Sequence, residues 1–229
     1  TAAYRILEFV ALSGEFPTDR LSRLPGGEAY KAHVIQSLKQ KHLLRTFYKD
    51  GLRGYRLTAK AKGLLTADRP ERFLPYLAGA AETNHIKSEP ARRQRLHRIA
   101  ETAATMQNAG AAIFPDEKPE VFSPAWDGRP QIFITAPAFY NSREIKELGI
   151  EAVKIKGARS AGVLLTESAV FVIYNLGGSL MKWQYRAEMR TKALMQTILC
   201  RERLPEQYAP EDVKGLLLGD NMELAATIL

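Results

Sequence analysis

Residues 28–65 read EAYKAHVIQSLKQKHLLRTFYKDGLRGYRLTAKAKGLL and predict the local architecture of the first part of the chain. Val34, Ile35 and Leu38 recur at helical spacing, which predicts a helix over about residues 28–42. The side chains between these apolar positions are mostly polar. The helix is therefore expected to bury one face and to expose the other.

The residues that follow this helix predict a hairpin. Residues 43–48 combine apolar, β-branched and aromatic side chains, which favour a strand, and residues 49–51 (Lys-Asp-Gly) carry a hairpin turn signal. Residues 54–57 return as the second strand. Thr58 is then the expected N-cap of a short helix that reaches Leu65.

Two further helices are predicted upstream of residue 28. Residues 2–12 repeat apolar side chains with helical periodicity. Thr18 is the expected N-cap of the second helix, whose buried positions are Leu21 and Leu24. The Pro-Gly-Gly sequence at residues 25–27 is the expected turn before the third helix.

Three helices followed by a short basic hairpin resemble a winged helix-turn-helix domain, here over residues 1–66. Residues 37–45 resemble the end of the recognition helix and its entry into the wing. Residues 55–65 look like the wing exit, where the hairpin closes and a helix is capped. His42 stands where these proteins usually have glycine.

This resemblance implies binding to double-stranded DNA. A helix fits the major groove, where its exposed side chains reach base edges. The side chains expected to face the groove are Glu28, Tyr30, Lys31, His33, Gln36 and Ser37. Lys49 and Arg53 of the wing, together with Lys39 and Lys41, are expected to contact phosphates. A winged helix that serves as a protein-interaction module is the alternative.

The distribution of charge points to the same partner. Residues 1–65 contain 12 Lys/Arg and 5 Asp/Glu, whereas residues 66–229 contain 21 and 20, so nearly all of the net charge of +8 lies in the first part. A basic unit joined to a neutral one suggests a polyanionic partner for the basic unit. A basic protein with no role in nucleic-acid binding also fits this composition.

Several functional classes are not favoured by the sequence. The single cysteine, Cys200, excludes an intrachain disulfide, and no Cys/His cluster has the spacing of a metal site. No stretch resembles a signal peptide or a membrane span, so we expect a cytoplasmic protein without a membrane partner. Walker, GxGxxG and nucleophile-elbow motifs are absent from the sequence, and no cofactor is predicted.

Residues 67–89 contain scattered Pro, Gly and Ala and are predicted to be a linker. Residues 90–229 are predicted to form an α+β domain that begins with a helix and has a long helix near 181–200. Its predicted strands cover residues 111–114, 131–135, 152–156, 162–165 and 169–174. This domain resembles the core of the restriction-endonuclease-like superfamily with the PD…(D/E)xK motif. The order of the two domains is also similar to the replication-relaxation proteins of Gram-positive plasmids and conjugative elements. That similarity includes the Arg-rich helix around His97 and the strand at residues 170–175.

A nuclease of this class needs carboxylates and a lysine that converge on a divalent metal. The candidates in the sequence are Asp116, Glu117 with Lys118, Asp127, and Glu151 with Lys154. Residues three apart on a strand point to opposite faces, and charges in Pro- or Gly-rich segments are normally solvated. We therefore expect a degenerate core with neither a catalytic site nor a metal site.

A basic stripe is predicted on the long helix of the second domain. Lys182, Arg186 and Arg190 follow one another at i, i+4 and i+8 and so share one face. Such a stripe is usually a solvated surface. The alternative is a second DNA-contacting surface, which Arg159 would join.

The function expected from these features is that of a non-enzymatic, double-stranded-DNA-binding accessory protein of a bacterial mobile element. By resemblance, it would mark an origin of replication or conjugative transfer for a relaxase, as part of a relaxosome, or for a replication initiator, either alone or as a homodimer. The alternatives are a transcriptional regulator with a dimerising or ligand-sensing C-terminal domain, and a metal-dependent nuclease. A chain that runs from Thr1 to an apolar Leu229 is also consistent with a fragment of a longer protein.

Overall fold

The computed structural model has a mixed α+β fold that divides into two compact units. The residues that the structure describes are 1–78, 88–122, 132–145, 160–177, 189, 193 and 207–227. Unit 1 contains Thr1–Thr105 and Phe114–Asp116, and unit 2 contains Met106–Ile113 and Glu117–Leu229. Within the described ranges, no helix is both long enough and apolar enough to cross a membrane.

Helices and short strands alternate in unit 1. In chain order its elements are α1 (Ala2–Ser13), β1 (Phe16–Pro17), a 3-10 helix (Thr18–Arg23), α2 (Glu28–Gln40), β2 (Leu44–Lys49), β3 (Leu52–Leu57), α3 (Ala59–Asp68), α4 (Pro70–Leu77) and α5 (Pro90–Asn108), whose last three residues belong to unit 2. Gly14 ends α1 in the left-handed conformation, with φ of 85°. Thr58 caps α3 as predicted, because its hydroxyl accepts a hydrogen bond from the backbone N–H of Ala61.

The three strands of unit 1 form an antiparallel sheet in the order β1-β3-β2. Strands β2 and β3 are the predicted hairpin, with Tyr48 opposite Arg53 and Lys49 opposite Leu52. Both turn residues have positive φ, 51° at Asp50 and 74° at Gly51, as a two-residue hairpin loop of the primed type requires. The sequence signal for this hairpin is therefore confirmed.

The core of unit 1 lies between α1 and the elements that pack on it. Helix α1 contacts α2, α3, α4 and β3. The predicted apolar stripe of α2 (Val34, Ile35 and Leu38) is buried in this core. The predicted second helix is instead a 3-10 helix with Pro17 at the N-cap position and no side-chain cap, and the hydroxyl of Thr18 donates to the carbonyl of Arg53.

The boundary between the two units differs from the one expected at residues 67–89. Helix α4 occupies part of the expected linker and buries Phe73 and Tyr76. Residues 90–105 of α5 belong to unit 1, although the sequence placed this helix in the second domain. The physical reason is that α5 buries Arg93 completely through contacts within unit 1, which a pattern of apolar residues cannot reveal.

The described part of unit 2 is built on a four-stranded mixed sheet. Its elements are β4 (Ala138–Asn141), β5 (Gly162–Leu165), β6 (Val170–Gly177), a 3-10 turn (Pro210–Asp212), β7 (Val213–Gly219) and α6 (Met222–Ala226). The strand order is β4-β5-β6-β7, with antiparallel pairs up to β6 and β7 parallel to β6.

Some expected strands of unit 2 take another form. Residues 132–135 are irregular, and Ala112 makes an isolated bridge to Ala138 in place of a strand. The expected strand at residues 152–156 lies outside the described residues. Of the expected long helix near 181–200, residues 189 and 193 are described, and both are helical.

Candidate nucleic-acid interface

Helix α2 has one buried and one exposed face, as its periodicity requires. On the exposed side the structure places Glu28, Tyr30, His33 and Gln36, and Ser37 is half-buried. Tyr30 leaves 56% of its surface accessible. Five of the six side chains expected to face a DNA groove are therefore accessible, and only one of them, Glu28, carries a formal charge at neutral pH.

Lys31 is the exception and corrects the sequence-based assignment. It is only 3% exposed, and its ammonium donates to the carbonyl oxygens of Leu21 at 2.8 Å and Leu24 at 2.9 Å. Lys31 lies three, four and seven positions before the buried Val34, Ile35 and Leu38, so it shares their helix face. Lys31 therefore connects the end of the 3-10 helix to α2 and is not available to DNA.

The hairpin presents two chemically different faces because side chains alternate along a strand. We call the side with Thr46, Tyr48, Arg53 and Tyr55 the α2 face, since the ammonium of Lys39 in α2 lies 5.2 Å from the centre of the Tyr55 ring. Tyr48 is 70% exposed there, directly opposite the exposed Arg53. The α2 face thus carries an aromatic and a cationic side chain beside the tip of the hairpin.

The opposite side of the hairpin, which we call the α5 face, carries Phe47, Lys49, Gly54 and Arg56. Here the ammonium of Lys49 donates to the hydroxyl of Ser88 at 3.2 Å. Lys49 and Arg53 were both expected to contact phosphates as parts of one wing. They lie on opposite faces, so we expect one duplex to engage them unequally.

The other two lysines expected near the DNA backbone are placed differently from each other. Lys39 is half-buried over the Tyr55 ring, whereas Lys41 is exposed at the end of α2. The next residue, His42, has a left-handed backbone with φ of 53°. Glycine adopts that conformation without strain, so the backbone at this position favours glycine, and His42 occupies it less favourably.

A buried ionic cluster lies against the α5 face of the hairpin. At its centre is Glu15, whose side chain is fully buried. Arg56 donates to Glu15 Oε2 from Nε at 2.7 Å and from Nη2 at 2.6 Å. Arg93 donates to Glu15 Oε1 from Nη2 at 2.6 Å, and His97 Nε2 lies 2.8 Å from the same oxygen.

Two opposing effects set the ionisation of Glu15. Burial raises the pKa of its carboxyl group, but hydrogen bonds with His97, Arg93 and Arg56 outweigh burial and lower the pKa to about 2. Gly54 makes room for this carboxylate, because a side chain at residue 54 would collide with it. Sequence reasoning missed the cluster because a glutamate just after a helix-ending glycine has the pattern of a solvated turn.

Other cations of unit 1 are also engaged within the unit. Arg72 is buried and pairs with Glu8 at 2.7 Å and with Asp116 at 2.8 Å. Arg20 and Arg23 each approach Glu101 at 3.5 Å. The basic excess counted in the sequence therefore overstates the positive charge that this unit can offer to a partner.

The candidate metal ligands do not converge in the described part of the chain. The carboxylate of Asp116 is held by Arg72, as above. Lys118 is buried in unit 2, where it donates to the carbonyls of Ile113 and Phe139 and pairs with Glu144 at 2.7 Å. Burial lowers the pKa of Lys118, and the Glu144 carboxylate opposes that shift.

Within the described residues, no group of three or more His, Cys, Asp or Glu side chains is arranged to hold a metal ion. Asp127, Glu151 and Lys154 lie outside the described residues. The predicted second DNA surface of Arg159, Lys182, Arg186 and Arg190 also lies outside them.

Comparisons of the chain with protein-family models, with curated proteins and with solved structures give no match.

Proposed function

We propose that unit 1 is a winged helix that binds double-stranded DNA, with α2 in the major groove and the hairpin as the wing. The observation that carries the proposal is the contact between α2 and the hairpin. The ammonium of Lys39 in α2 lies 5.2 Å from the centre of the Tyr55 ring, on the hairpin face that also carries the exposed Tyr48 and Arg53. A single duplex could therefore contact His33 and Gln36 on the helix and Arg53 on the hairpin.

The order of elements supports the same proposal. A helix, a short strand, a helical turn, a second helix and a hairpin follow one another in unit 1, and the short strand β1 pairs with β3. This order matches the winged-helix resemblance of the sequence. The chemistry also fits a base-reading helix, because amide and imidazole groups donate and accept hydrogen bonds at base edges.

For the whole chain we propose a non-enzymatic accessory role at an origin of a mobile element, with a relaxase or a replication initiator as the protein partner. In this proposal unit 2 is a degenerate restriction-endonuclease-like module. Its antiparallel strands β4–β6, followed by β7 parallel to β6, support that assignment. Strands β5 and β6, which read GVLL and VFVIYNLG, contain no Asp, Glu or Lys to supply a metal centre.

Titration of the purified full chain into a labelled duplex of random sequence, at several salt concentrations, tests DNA binding. We expect binding that weakens as salt rises, because phosphate contacts release counterions. A single strand of the same sequence is the control and is expected to bind more weakly. No salt-dependent preference for the duplex would refute the proposal.

Selection of bound fragments from a plasmid library then tests the role. A preferred site beside an origin supports the accessory function, whereas a preferred site at promoters contradicts it. Incubation of the chain with supercoiled plasmid and Mg²⁺ or Mn²⁺ tests the non-enzymatic part. Nicking by the wild type that is lost in Glu151→Ala would contradict the degenerate module and indicate an active nuclease.

A further inference from the structure

Arg93 connects α5 to the tip of the hairpin, although the sequence predicted that this helix belongs to the second domain. Its side chain is fully buried. Besides Glu15, its guanidinium donates to three backbone carbonyls: Lys49 at 2.7 Å, Leu52 at 3.0 Å and Phe47 at 3.2 Å. These carbonyls lie on both strands and flank the two-residue turn, so one side chain fastens both strands at the tip.

Thr18 and Ser88 also contact the outer end of the hairpin, through the Arg53 carbonyl and the Lys49 ammonium, but each of them contacts a single strand. A two-stranded ribbon is only marginally stable by itself, and its tip lies furthest from the core. Hydrogen bonds from a charged donor are stronger than neutral ones, and burial protects them from solvent. The ring of Phe47 adds to the attachment, since it lies 4.7 Å from the Arg93 guanidinium and 3.9 Å from that of Arg56.

We propose that Arg93 is a positioning residue for DNA binding, because it holds the hairpin tip in the orientation that presents Tyr48 and Arg53 beside α2. This inference rests on the proposed function of unit 1. Arg93 itself is buried and cannot touch DNA. Any effect of Arg93 on DNA affinity must therefore act through the hairpin.

The geometry requires arginine at this position. A guanidinium has five N–H groups in a fixed plane, so it can serve a carboxylate on one edge and carbonyls on the other. Lysine keeps the charge but presents three donors from a single point. Arg93→Lys therefore keeps the ionic contact with Glu15 within reach but loses most of the hydrogen bonds to the hairpin backbone.

The first test measures duplex affinity against salt concentration for the wild-type chain and for Arg93→Lys. We expect Arg93→Lys to lower the salt slope by about 1, as the loss of one phosphate contact does, and to weaken binding severalfold. Arg5→Lys is the matched control, because it makes the same change at an exposed residue. An unchanged affinity and slope in folded Arg93→Lys would overturn the proposal.

A double-mutant cycle separates positioning from a general loss of structure. If Arg93 acts by presenting Arg53, then Arg93→Lys should add little to the effect of Arg53→Gln. If a substitution merely leaves part of the protein unfolded, it lowers the fraction of protein that binds but does not change the salt dependence of duplex affinity. Fully additive effects of the two substitutions would contradict the positioning role.

Amide hydrogen exchange tests the attachment without DNA. In Arg93→Lys we expect faster exchange at residues 47–53 and unchanged exchange in α1. If Arg93→Lys does not fold, Arg93→Gln takes its place, since Glu15 keeps Arg56 as its counter-charge and the neutral amide has at most two N–H groups for the three hairpin carbonyls. If amide protection at residues 47–53 stays at its wild-type level, Arg93 does not fix the hairpin tip. If the wild type does not bind duplex, the proposed function fails, and the exchange experiment still decides whether Arg93 fixes the hairpin.

Discussion

The two faces of the hairpin use the same residue types in opposite ways. Arg53 and Arg56 lie three residues apart on β3 and therefore point to opposite sides of the sheet. Arg53 is exposed on the α2 face of the hairpin, whereas Arg56 pairs with the buried carboxylate of Glu15. A count of basic residues treats these two arginines as equal, but only the first is available to a phosphate.

The difference teaches that position in the strand, more than net charge, decides which cations of this unit are accessible to an anionic partner. On the α5 face, two guanidinium groups and His97 surround one carboxylate, and this arrangement fixes the hairpin. On the α2 face, Tyr48 and Arg53 remain exposed.

The largest effect is expected from Glu15→Gln. The amide would leave the buried guanidinium of Arg93 and the partly buried one of Arg56 without their counter-charge, and breaking a buried pair in this way typically costs about 3–5 kcal/mol. Urea unfolding of the full chain, followed by far-UV circular dichroism, measures the loss. Both tryptophans, Trp126 and Trp183, lie outside the sequence of unit 1, so their fluorescence serves as an internal reference.

Asp19→Asn is the matched control for Glu15→Gln, because Asp19 is an exposed carboxylate in the same unit whose contact with Arg20 is long, at 3.8 Å. Exposed pairs contribute at most about 1 kcal/mol. If Glu15→Gln and Asp19→Asn destabilise the chain to the same small extent, the cluster does not fix the α5 face.

The same carboxylate predicts a dependence of stability on pH. The pKa of Glu15 is lowered to about 2 in the folded protein, from an ordinary value of 4.5. The contribution of Glu15 to the free energy of unfolding is thus fully present above pH 4.5 and is lost as the pH falls through 2. At 1.36 kcal/mol per pKa unit, the contribution is about 3 kcal/mol.

Urea midpoints measured at pH 5, 3 and 2 check this dependence. Wild type should lose stability steadily over that range, and Glu15→Gln should lose less because it has no proton to bind at residue 15. Equal pH dependence in the two proteins would show that other carboxyl groups account for the acid sensitivity.

The next prediction concerns the space that Gly54 leaves for the cluster. In Gly54→Ala the new methyl group would meet the Glu15 carboxylate, which cannot move aside because Arg56 and Arg93 hold it. We expect a loss of about 1–3 kcal/mol, as is usual for overpacking. Thermal unfolding of the full chain measures it.

Gly63→Ala is the natural comparison for Gly54→Ala. Gly63 lies in α3, and a methyl group there would meet nothing within 4 Å. Alanine favours a helix over glycine, so this substitution should stabilise the protein by about 0.5–1 kcal/mol. Changes in stability of opposite sign for the two substitutions support close packing on the α5 face. A Gly54→Ala chain as stable as the wild type would argue against that packing.

The parts of the fold that follow from local pattern could be predicted from the sequence. The stripe of Val34, Ile35 and Leu38 located the buried face of α2, and Lys49-Asp50-Gly51 located the hairpin turn. Both signals depend on neighbours within a few residues, where periodicity and turn chemistry act. The same periodicity also assigns Lys31 to the buried face, so that correction was available in the sequence.

Contacts between distant residues could not be predicted in this way. Glu15 and Arg93 are 78 positions apart, and each has an ordinary solvated pattern in its own segment. Their pairing exists only once the hairpin brings Gly54 next to Glu15. For this reason the Arg-rich helix α5 was assigned to the second domain, whereas residues 90–105 complete unit 1.

The smallest expected effect, on DNA affinity, compares the two hairpin faces directly. Arg53→Gln removes a cation from the α2 face, beside the proposed reading helix, and Lys49→Gln removes one from the α5 face, where its ammonium already contacts Ser88. Arg53→Gln should weaken duplex binding about fivefold, or about 1 kcal/mol, and lower the salt slope by about 1. Lys49→Gln should change both quantities less, although both substitutions remove one charge and lie within five residues of each other. Titrations at four salt concentrations with one duplex resolve the difference. If Lys49→Gln had the larger effect, the duplex would lie against the α5 face, and α2 could not be the helix that reads the bases.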